Sequence, residues 1–323
     1  MTLITASAPG KLLLYGDHAV VYGKPCIVTA VDQRVHVTVK KNGVDTFHLD
    51  APDLGLTAYS KTINDLGQKE LPKSVAFIEI CYKRFLEKYP QQEGIVVTTK
   101  SDFSSLFGFG SSSAVTVAFA KALTTLYGIT LTNKELFNLC YQAVIDVQGV
   151  GSGFDIAAAI WGGTIYYVTP AKVVKVVSCP ELPLIVGYTG VKADTPTLIR
   201  MVESLKQQDS SKIKTIFNHM SNIVDAAFQT ISESNWEKAG KLMNQNQLLL
   251  RELQVSSVKL ESLIEAAITA GAYGAKLSGA GGGDCMIALC DKKYVTPIAT
   301  AIEKAGGKYM DVNLNAQGVR IEK

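Results

Sequence analysis

The stretch Gly108-Phe109-Gly110-Ser111-Ser112-Ser113 decides how this 323-residue sequence is interpreted. Its glycines let a backbone close on a ligand without a side chain in the way. Apolar residues then recur at helical spacing up to Leu126, so a helix is predicted to begin at Ser111. The unpaired N–H groups and the positive dipole end of such a helix attract anions, and serine hydroxyls add donors. The stretch predicts a phosphate-binding loop, although a serine-capped glycine turn explains it equally well on its own.

A second glycine-rich stretch lies near the C-terminus, between a predicted helix and a predicted strand. Gly279-Ala280-Gly281-Gly282-Gly283 has four glycines in five positions. Each glycine adds entropy to the unfolded chain, so such a run lowers stability unless the folded backbone needs it. We interpret the run as a close approach of the backbone to a ligand.

Two shorter stretches carry charged residues beside glycine. Lys11 follows Ala8-Pro9-Gly10 at the start of a predicted strand, and Asp155 follows Gly151-Ser152-Gly153-Phe154 on the first turn of a predicted helix. Each has an ordinary explanation in isolation, as a solvated lysine or a helix-capping aspartate. Their order along the chain, together with the two glycine-rich stretches, is what gives them functional weight.

Helices and strands mix through both halves of the sequence. Strand patterns predominate before the phosphate loop, and long helical patterns alternate with strands after it. Thr132 and Glu135 occupy the two positions of a helix-starting capping box. Without the regular alternation of a doubly wound sheet, the pattern predicts an α+β protein. A boundary near Pro170 gives an N-terminal ATP-binding domain, residues 1–169, and a C-terminal domain, residues 170–323.

The four stretches in this order resemble the GHMP kinases, and the resemblance spans residues 8–289. It implies the GHMP kinase fold, with an N-terminal domain similar to the ribosomal S5 fold and a ferredoxin-like C-terminal domain. The active site of that family lies in the cleft between the domains. The resemblance also implies an enzyme that uses ATP and Mg²⁺ to phosphorylate a small molecule.

The resemblance assigns roles residue by residue. The residues implied to bind the nucleotide are Gly108, Gly110, Ser111, Ser112, Ser113, Gly279, Gly281 and Gly282. Ser112 matches the serine that contacts Mg²⁺, Asp155 the catalytic aspartate, and Lys11 the lysine that accompanies it. Lys11 beside Asp155 would hold the carboxylate ionised, ready to accept the proton of the attacking hydroxyl. Lys11 would also stabilise negative charge at the reacting oxygen.

Two stretches resemble the mevalonate kinase branch of the family. Residues 16–23, Gly-Asp-His-Ala-Val-Val-Tyr-Gly, match its first motif and imply a substrate contact for His18. Residues 188–195 match a substrate-side segment, which implies the same for Thr195 and Lys192. The expected reaction is phosphorylation of mevalonate to 5-phosphomevalonate, in isoprenoid precursor biosynthesis.

Other stretches resemble the phosphomevalonate kinase branch, so 5-phosphomevalonate remains an alternative acceptor. These are residues 147–159, 111–123 and 281–285. However, a phosphorylated acceptor needs extra cations, and phosphomevalonate kinases often carry a lysine before the glycine loop, where this chain has residues 104–107. The lyase of the same fold, diphosphomevalonate decarboxylase, and other GHMP kinases are less favoured.

The second Mg²⁺ ligand is uncertain from the sequence. Mevalonate kinases often carry a glutamate eleven residues before the catalytic aspartate, where this chain has Val144. Asp146 is the nearest acidic side chain, and we predict that it takes this role.

Composition limits the remaining classes of function. The net charge of +3, from 32 basic and 29 acidic residues, is too small and too evenly spread to indicate nucleic-acid binding. Apolar residues make up 47% of the chain, but no run is long enough to cross a bilayer and no secretory signal opens the sequence. The six cysteines are scattered, as expected of reduced thiols. We predict a cytoplasmic protein that acts on a small molecule, with a homodimer left open.

Overall fold

The computed structural model describes residues 2–68, 70–104, 106–179 and 181–322. The strands are β1 (Leu3–Tyr15), β2 (Cys26–Lys41), β3 (Thr46–Ala51), β4 (Leu56–Thr62), β5 (Ile95–Ser101), β6 (Thr164–Val168), β7 (Val173–Val176), β8 (Leu184–Tyr188), β9 (Gly274–Ser278), β10 (Cys285–Leu289), β11 (Lys308–Met310) and β12 (Arg320–Ile321). The helices are α1 (Lys73–Lys88), α2 (Ser111–Leu126), α3 (Asn133–Gln148), α4 (Phe154–Trp161), α5 (Thr195–Gln208), α6 (Ser210–Ser232), α7 (Trp236–Glu252), α8 (Val258–Thr269) and α9 (Val295–Lys304).

The larger sheet has eight strands in the order β12-β1-β2-β5-β3-β4, with β6 paired to β2 and β7 paired to β6. All of its pairs are antiparallel except β3 with β5. The ladder between β1 and β2 shifts register between Pro9 and Gly10. A methyl group placed on Gly10 would lie 3.0 Å from the carbonyl oxygen of Phe109. This irregularity therefore lets the glycine–serine stretch approach β1 closely.

Helices α2 and α4 pack on β1 and β2 of this sheet, and helices α1 and α3 pack against α2. The buried face of α2 includes Ala118, Ala120 and Ala122, whose small side chains allow a close approach to the strands. Helix α3 begins with the predicted capping box, in which Thr132 and Glu135 each accept from the other's backbone, so that prediction is confirmed. The packing fixes the N-terminus of α2 beside the register shift in β1.

The smaller sheet has four antiparallel strands in the order β11-β8-β10-β9. Helices α7, α8 and α9 pack on it. Gly240 of α7 meets Gly274 of β9 backbone to backbone, since a methyl group on Gly274 would lie 1.9 Å from the Gly240 carbonyl oxygen. The predicted α+β class is confirmed, with mixed helices and strands around both sheets. Within the described residues, no helix is long and apolar enough to cross a membrane.

The change of sheet does not coincide with the predicted boundary at Pro170. Strand β7 pairs with β6 in the larger sheet, and the smaller sheet begins only at β8. The C-terminal residues also return to the larger sheet, where β12 pairs with β1 and Leu314 bridges to Val31. The division into residues 1–169 and 170–323 therefore remains a prediction, and strand pairing alone does not follow it.

Candidate active site

The glycine–serine stretch forms a loop that ends at the start of α2. Gly108 and Gly110 have φ values of +74° and +77°, in the left-handed region where glycine carries little strain. Gly110 caps α2 without a side-chain hydrogen bond. The amides of Ser111 and Ser112 have no hydrogen-bond partner within the described ranges, and both residues are half-buried. These two N–H groups and the helix dipole have the arrangement that an anion site requires, and phosphate binding there stays a prediction.

The third serine of the stretch has a different partner. The Ser113 side chain is buried, and its Oγ donates to Oδ2 of Asp155 at 2.7 Å. Asp155 lies on the first turn of α4, and its Oδ1 accepts from the amide of Ile156 at 3.1 Å. Ser113 was predicted to bind the nucleotide, but its hydroxyl is committed to the carboxylate. Successive helical residues are rotated by about 100° around the helix axis, so three consecutive serines do not face one ligand. The sequence therefore already indicated that the three serines have different partners.

Lys11 and Asp155 both lie against the loop at Gly110. A methyl group on Gly110 would lie 3.2 Å from Cε of Lys11 and 3.6 Å from Cβ of Asp155. The Lys11 ammonium donates to the carbonyl of Gly108 at 2.9 Å and lies 5.5 Å from the ring centre of Phe154. In the described part of the chain it forms an ion pair with no carboxylate, so it lies beside Asp155 without a direct bond to it. The base and the cation are neighbours, each held by the phosphate loop.

The second glycine-rich stretch is needed mainly for packing within the protein. A methyl group on Gly281 would lie 2.1 Å from the Val255 carbonyl oxygen, and one on Gly283 would lie 2.5 Å from that of Val191. Gly282 donates its amide to Val255 at 2.8 Å. Of the glycines in this stretch, Gly279, with φ +105°, is the one where a methyl group would meet nothing within 4 Å among the described residues. The interpretation of a close approach to a ligand therefore suits Gly279, whereas Gly281 and Gly282 have structural partners.

A fully buried ion pair anchors this second stretch to the first motif of the chain. Asp17 accepts from the Gly279 amide at 2.8 Å with one carboxylate oxygen. Its other oxygen lies 2.6 Å from Nζ of Lys276, and both side chains are 0% exposed. Burial lowers the pKa of Lys276, while the attraction of Asp17 raises it. Sequence reasoning named Asp17 without finding this partner, because Lys276 lies far away along the chain.

His18 adds a second connection between the same two segments. Its Nε2 lies 2.8 Å from the Ala280 carbonyl oxygen, and its side chain is buried. Burial lowers the pKa of His18, which favours the neutral ring. Because a carbonyl only accepts, Nε2 carries the hydrogen and Nδ1 is left as an acceptor. This arrangement is compatible with the predicted role of His18 at a substrate hydroxyl.

The other predicted substrate residues lie at the start of α5. Thr195 is its first residue and is exposed, and Lys192 is exposed in the turn before it. The intervening Ala193 is buried and donates its amide to Oδ1 of Asp284 at 2.9 Å. Sequence reasoning gave Asp284 no role, although it directly follows the glycine run.

Asp146 is not among the groups gathered at this site. Both of its carboxylate oxygens accept from Arg84 of α1, at 2.6 and 2.9 Å. Its predicted role as a Mg²⁺ ligand therefore competes with an ion pair that is already made. The described residues contain no group of three or more histidine, cysteine, aspartate or glutamate side chains that could hold a metal. Of the two predicted ligands, only Ser112 lies on the phosphate loop.

Comparison with known proteins gives a consistent result. The family model of the GHMP kinases N terminal domain matches residues 76–163, and that of the GHMP kinases C terminal domain matches residues 226–308. Mevalonate kinase of Pyrococcus abyssi is 36% identical over 99% of this chain and 98% of its own length. Mevalonate kinase of Thermococcus gammatolerans is 37% identical over the same shares.

Solved structures agree with the sequence relatives. The crystal structure of L. major mevalonate kinase in complex with R-mevalonate has a TM-score of 0.78 and 26% identity, and the match covers 96% of this chain and 95% of that one. Both halves of the chain are thus matched, by family models, by full-length relatives and by fold. The chain belongs to the GHMP kinases and, within that family, to the mevalonate kinases.

Proposed function

We propose that this protein transfers the γ-phosphoryl group of ATP to the primary hydroxyl of mevalonate, giving 5-phosphomevalonate. The observation that carries the proposal is that Asp155 and Lys11 both lie against Gly110, at the N-terminus of α2. A carboxylate, a cation and free helix amides beside one loop are the groups that phosphoryl transfer to a hydroxyl requires. Relatives named mevalonate kinase, 36% and 37% identical over nearly the full chain, indicate the acceptor.

Each group has a role that follows from its chemistry. The amides of Ser111 and Ser112 donate hydrogen bonds to the phosphates at the positive end of the helix. Asp155 takes the proton of the acceptor hydroxyl as it attacks the γ-phosphorus. Ser113 fixes the carboxylate by its 2.7 Å hydrogen bond, so that the base does not have to find its orientation. Lys11 stabilises the negative charge of the transferred group.

Mg²⁺ fits the donors on the loop. Magnesium in nucleotide sites keeps several waters and takes few protein ligands, the rest coming from substrate phosphates. The Ser112 hydroxyl on the first turn of α2 would hold it, and Asp146 has no part because Arg84 binds it. When bound, the ion neutralises charge on the ATP phosphates.

The choice of acceptor follows from the charge available around the site. A phosphorylated acceptor needs two or more cations within reach of one phosphate, whereas the carboxylate of mevalonate needs only one or two partners. The segment before the phosphate loop supplies no lysine: it contains Ser104, Leu106 and Phe107, and Ser105 lies outside the described residues. We therefore favour mevalonate over 5-phosphomevalonate. A cytoplasmic location and a homodimer remain predictions from the sequence.

An ATP-consumption assay with separate acceptors tests this function. We expect ADP to form with mevalonate and not with 5-phosphomevalonate or 5-diphosphomevalonate. A preference for 5-phosphomevalonate would assign the other branch of the family, and CO₂ release from 5-diphosphomevalonate would mark the lyase. Turnover of none of the three would contradict the proposal, provided that the purified protein unfolds cooperatively.

A further inference from the structure

Asp284 occupies an unusual backbone position directly after the second glycine-rich stretch. Its φ is +54°, a left-handed value that few residues other than glycine adopt. Three hydrogen bonds fix its backbone to the turn that follows β8. Its amide donates to the Val191 carbonyl at 2.7 Å, and its carbonyl accepts from both the amide and the hydroxyl of Thr189 at 2.9 Å. The side chain therefore projects from a rigidly held point.

The Asp284 carboxylate contacts two different elements of the site. Its Oδ1 accepts from the Ala193 amide at 2.9 Å. Its Oδ2 lies against Gly108, where a methyl group would come within 2.5 Å of this oxygen. Gly108 belongs to the phosphate loop, and its carbonyl accepts from the Lys11 ammonium. One carboxylate thus lies between the phosphate loop and the turn that leads into α5.

The position of Ala193 determines where the residues on either side of it lie. Lys192 precedes it, and Asp194 follows as the residue that caps α5 by accepting from the Thr197 amide at 3.3 Å. Thr195 then begins the helix. Because adjacent Cα atoms are about 3.8 Å apart, a displacement of Ala193 moves its neighbours almost equally. The hydrogen bond from Ala193 to Asp284 therefore sets where this turn lies relative to Gly108.

We propose that Asp284 is a positioning residue that couples the phosphate loop to the turn at residues 189–195, and through it to acceptor binding. The identity of the acceptor rests on the function proposed above. Such coupling is reciprocal: a phosphate loop that shifts Asp284 changes acceptor affinity, and an acceptor held by the turn changes the loop. Among the described residues no hydrogen bond joins Asp284 to Asp155, so Asp284 acts on the position of the turn and not on the proton transfer.

A double-mutant cycle on Gly108 and Asp284 tests the coupling. The proteins are the wild type, Gly108→Ala, Asp284→Gly and the double variant, with KM for mevalonate and for ATP, kcat and Tm measured for each. Glycine accepts the φ of +54° at residue 284, so the variant removes the carboxylate without backbone strain. We expect Asp284→Gly to raise the KM for mevalonate about tenfold, as loss of a hydrogen bond to a charged group does, with the KM for ATP little changed.

The added methyl group of Gly108→Ala should act through the carboxylate. In the wild-type background it collides with Asp284, so we expect the KM for mevalonate to rise. In the Asp284→Gly background there is no carboxylate to displace, so the same change should raise that KM by a smaller factor than in the wild type. The strain of alanine at φ +74° is common to both backgrounds and cancels in the cycle. Equal effects of Gly108→Ala in the two backgrounds would overturn the proposal.

Two further measurements separate positioning from a structural role and from a wrong acceptor. Asp284→Asn keeps an oxygen for the Ala193 amide, so its KM for mevalonate should stay near that of the wild type; a value like that of Asp284→Gly would overturn the proposal. Hydrogen exchange at the Ala193 amide needs no acceptor. It should accelerate in Asp284→Gly and in Gly108→Ala, and unchanged exchange would also overturn the coupling. Failure of the wild type to use mevalonate would instead contradict the proposed function alone.

Discussion

Ser113 donates its hydroxyl hydrogen to Asp155 across 2.7 Å, joining the phosphate loop to the carboxylate of α4. Ser113 is the third residue of α2, so it is fixed by the same helix whose first amides form the anion site. Asp155 is the second residue of α4 and accepts from Ile156 with its other oxygen. The candidate base is therefore oriented by the same helix that we propose binds the phosphates.

Ser113→Ala should slow turnover without weakening ATP binding. The variant removes one hydrogen bond to a charged group, which is worth about 1.5–3 kcal/mol, and leaves Asp155 free to rotate. We expect kcat to fall about 10- to 100-fold, from that energy at about tenfold per 1.36 kcal/mol, with the KM for ATP nearly constant. Ser111→Ala is the matched control, because it removes a hydroxyl from the same turn that Asp155 does not use. Equal kcat values for the two variants would contradict the role of Ser113.

Asp155→Asn should abolish turnover and leave nucleotide binding almost intact. An amide keeps the shape of the carboxylate and an oxygen for Ser113, but it does not take up a proton at neutral pH. Loss of a general base lowers kcat by about 10²- to 10⁴-fold. Steady-state kinetics gives the loss, and calorimetric titration with ATP gives the affinity. A variant that retains kcat would show that another group accepts the proton.

The order of the motifs predicted much of the fold and of the loop around Ser112. Apolar residues at helical spacing located the long helix Ser111–Leu126, most of whose residues are buried. Helix α5 and helix α1 (Lys73–Lys88) were not predicted. The first of these follows directly from the turn that was interpreted as a substrate segment, and its capping residue, Asp194, drew no attention.

The glycine-rich stretch at residues 279–283 and Asp146 show why other features of the site could not be predicted from the sequence. Gly281 is required by the carbonyl of Val255 and Gly283 by that of Val191, and both partners come from distant parts of the chain. Asp146 was chosen for its distance along the chain from Asp155, yet Arg84 on another helix takes both of its oxygens. Tertiary contacts of this kind leave no local pattern in the sequence. Motif spacing alone therefore does not distinguish a packing residue from a ligand-binding residue.

Asp146→Asn should leave the Mg²⁺ dependence of activity unchanged. Its ion pair with Arg84 is partly exposed, with side-chain exposures of 31% and 39%, so removal of the charge should lower the free energy of unfolding by no more than about 1 kcal/mol. Arg84→Met breaks the same pair from the other side and should give a similar loss. A Mg²⁺ titration of the rate checks the first point. A tenfold higher Mg²⁺ requirement in Asp146→Asn, but not in Arg84→Met, would restore Asp146 as a ligand.

Gly281→Ala should destabilise the protein far more than Gly23→Ala. The two glycines have almost the same φ, +83° and +82°, so the strain of a left-handed alanine, about 1–2 kcal/mol, is shared. A methyl group on Gly23 meets nothing within 4 Å among the described residues, whereas on Gly281 it lies 2.1 Å from the Val255 carbonyl oxygen. Forced repacking adds about 1–3 kcal/mol, which urea unfolding of the two variants would measure. Equal losses in the free energy of unfolding would mean that the loop around Gly281 moves to accommodate the methyl group without further destabilisation.

His18 should make the protein less stable in mild acid. Burial lowers its folded-state pKa, opposed by the Ala280 carbonyl and Asp17 and reinforced by Lys276. The unfolded chain has an ordinary histidine pKa of about 6.5, so below that pH it binds a proton that the folded protein does not. Stability is then fully present above about pH 6.5 and is lost as pH falls, by up to about 1.4 kcal/mol per pH unit, until the folded pKa is reached.

His18→Asn isolates this contribution from that of every other titrating group. Asparagine tolerates the φ of +58° at residue 18 and does not titrate. Its shorter amide does not replace Nε2 at the Ala280 carbonyl, but that loss is the same at every pH. The difference in free energy of unfolding between the variant and the wild type, measured in urea at several pH values, cancels the common background. We expect that difference to be constant above pH ~6.5 and to shift in favour of the variant as the pH falls below it. A difference that does not vary with pH would mean that His18 protonates equally in both states, and that the buried neutral ring is not what holds residues 18 and 280 together.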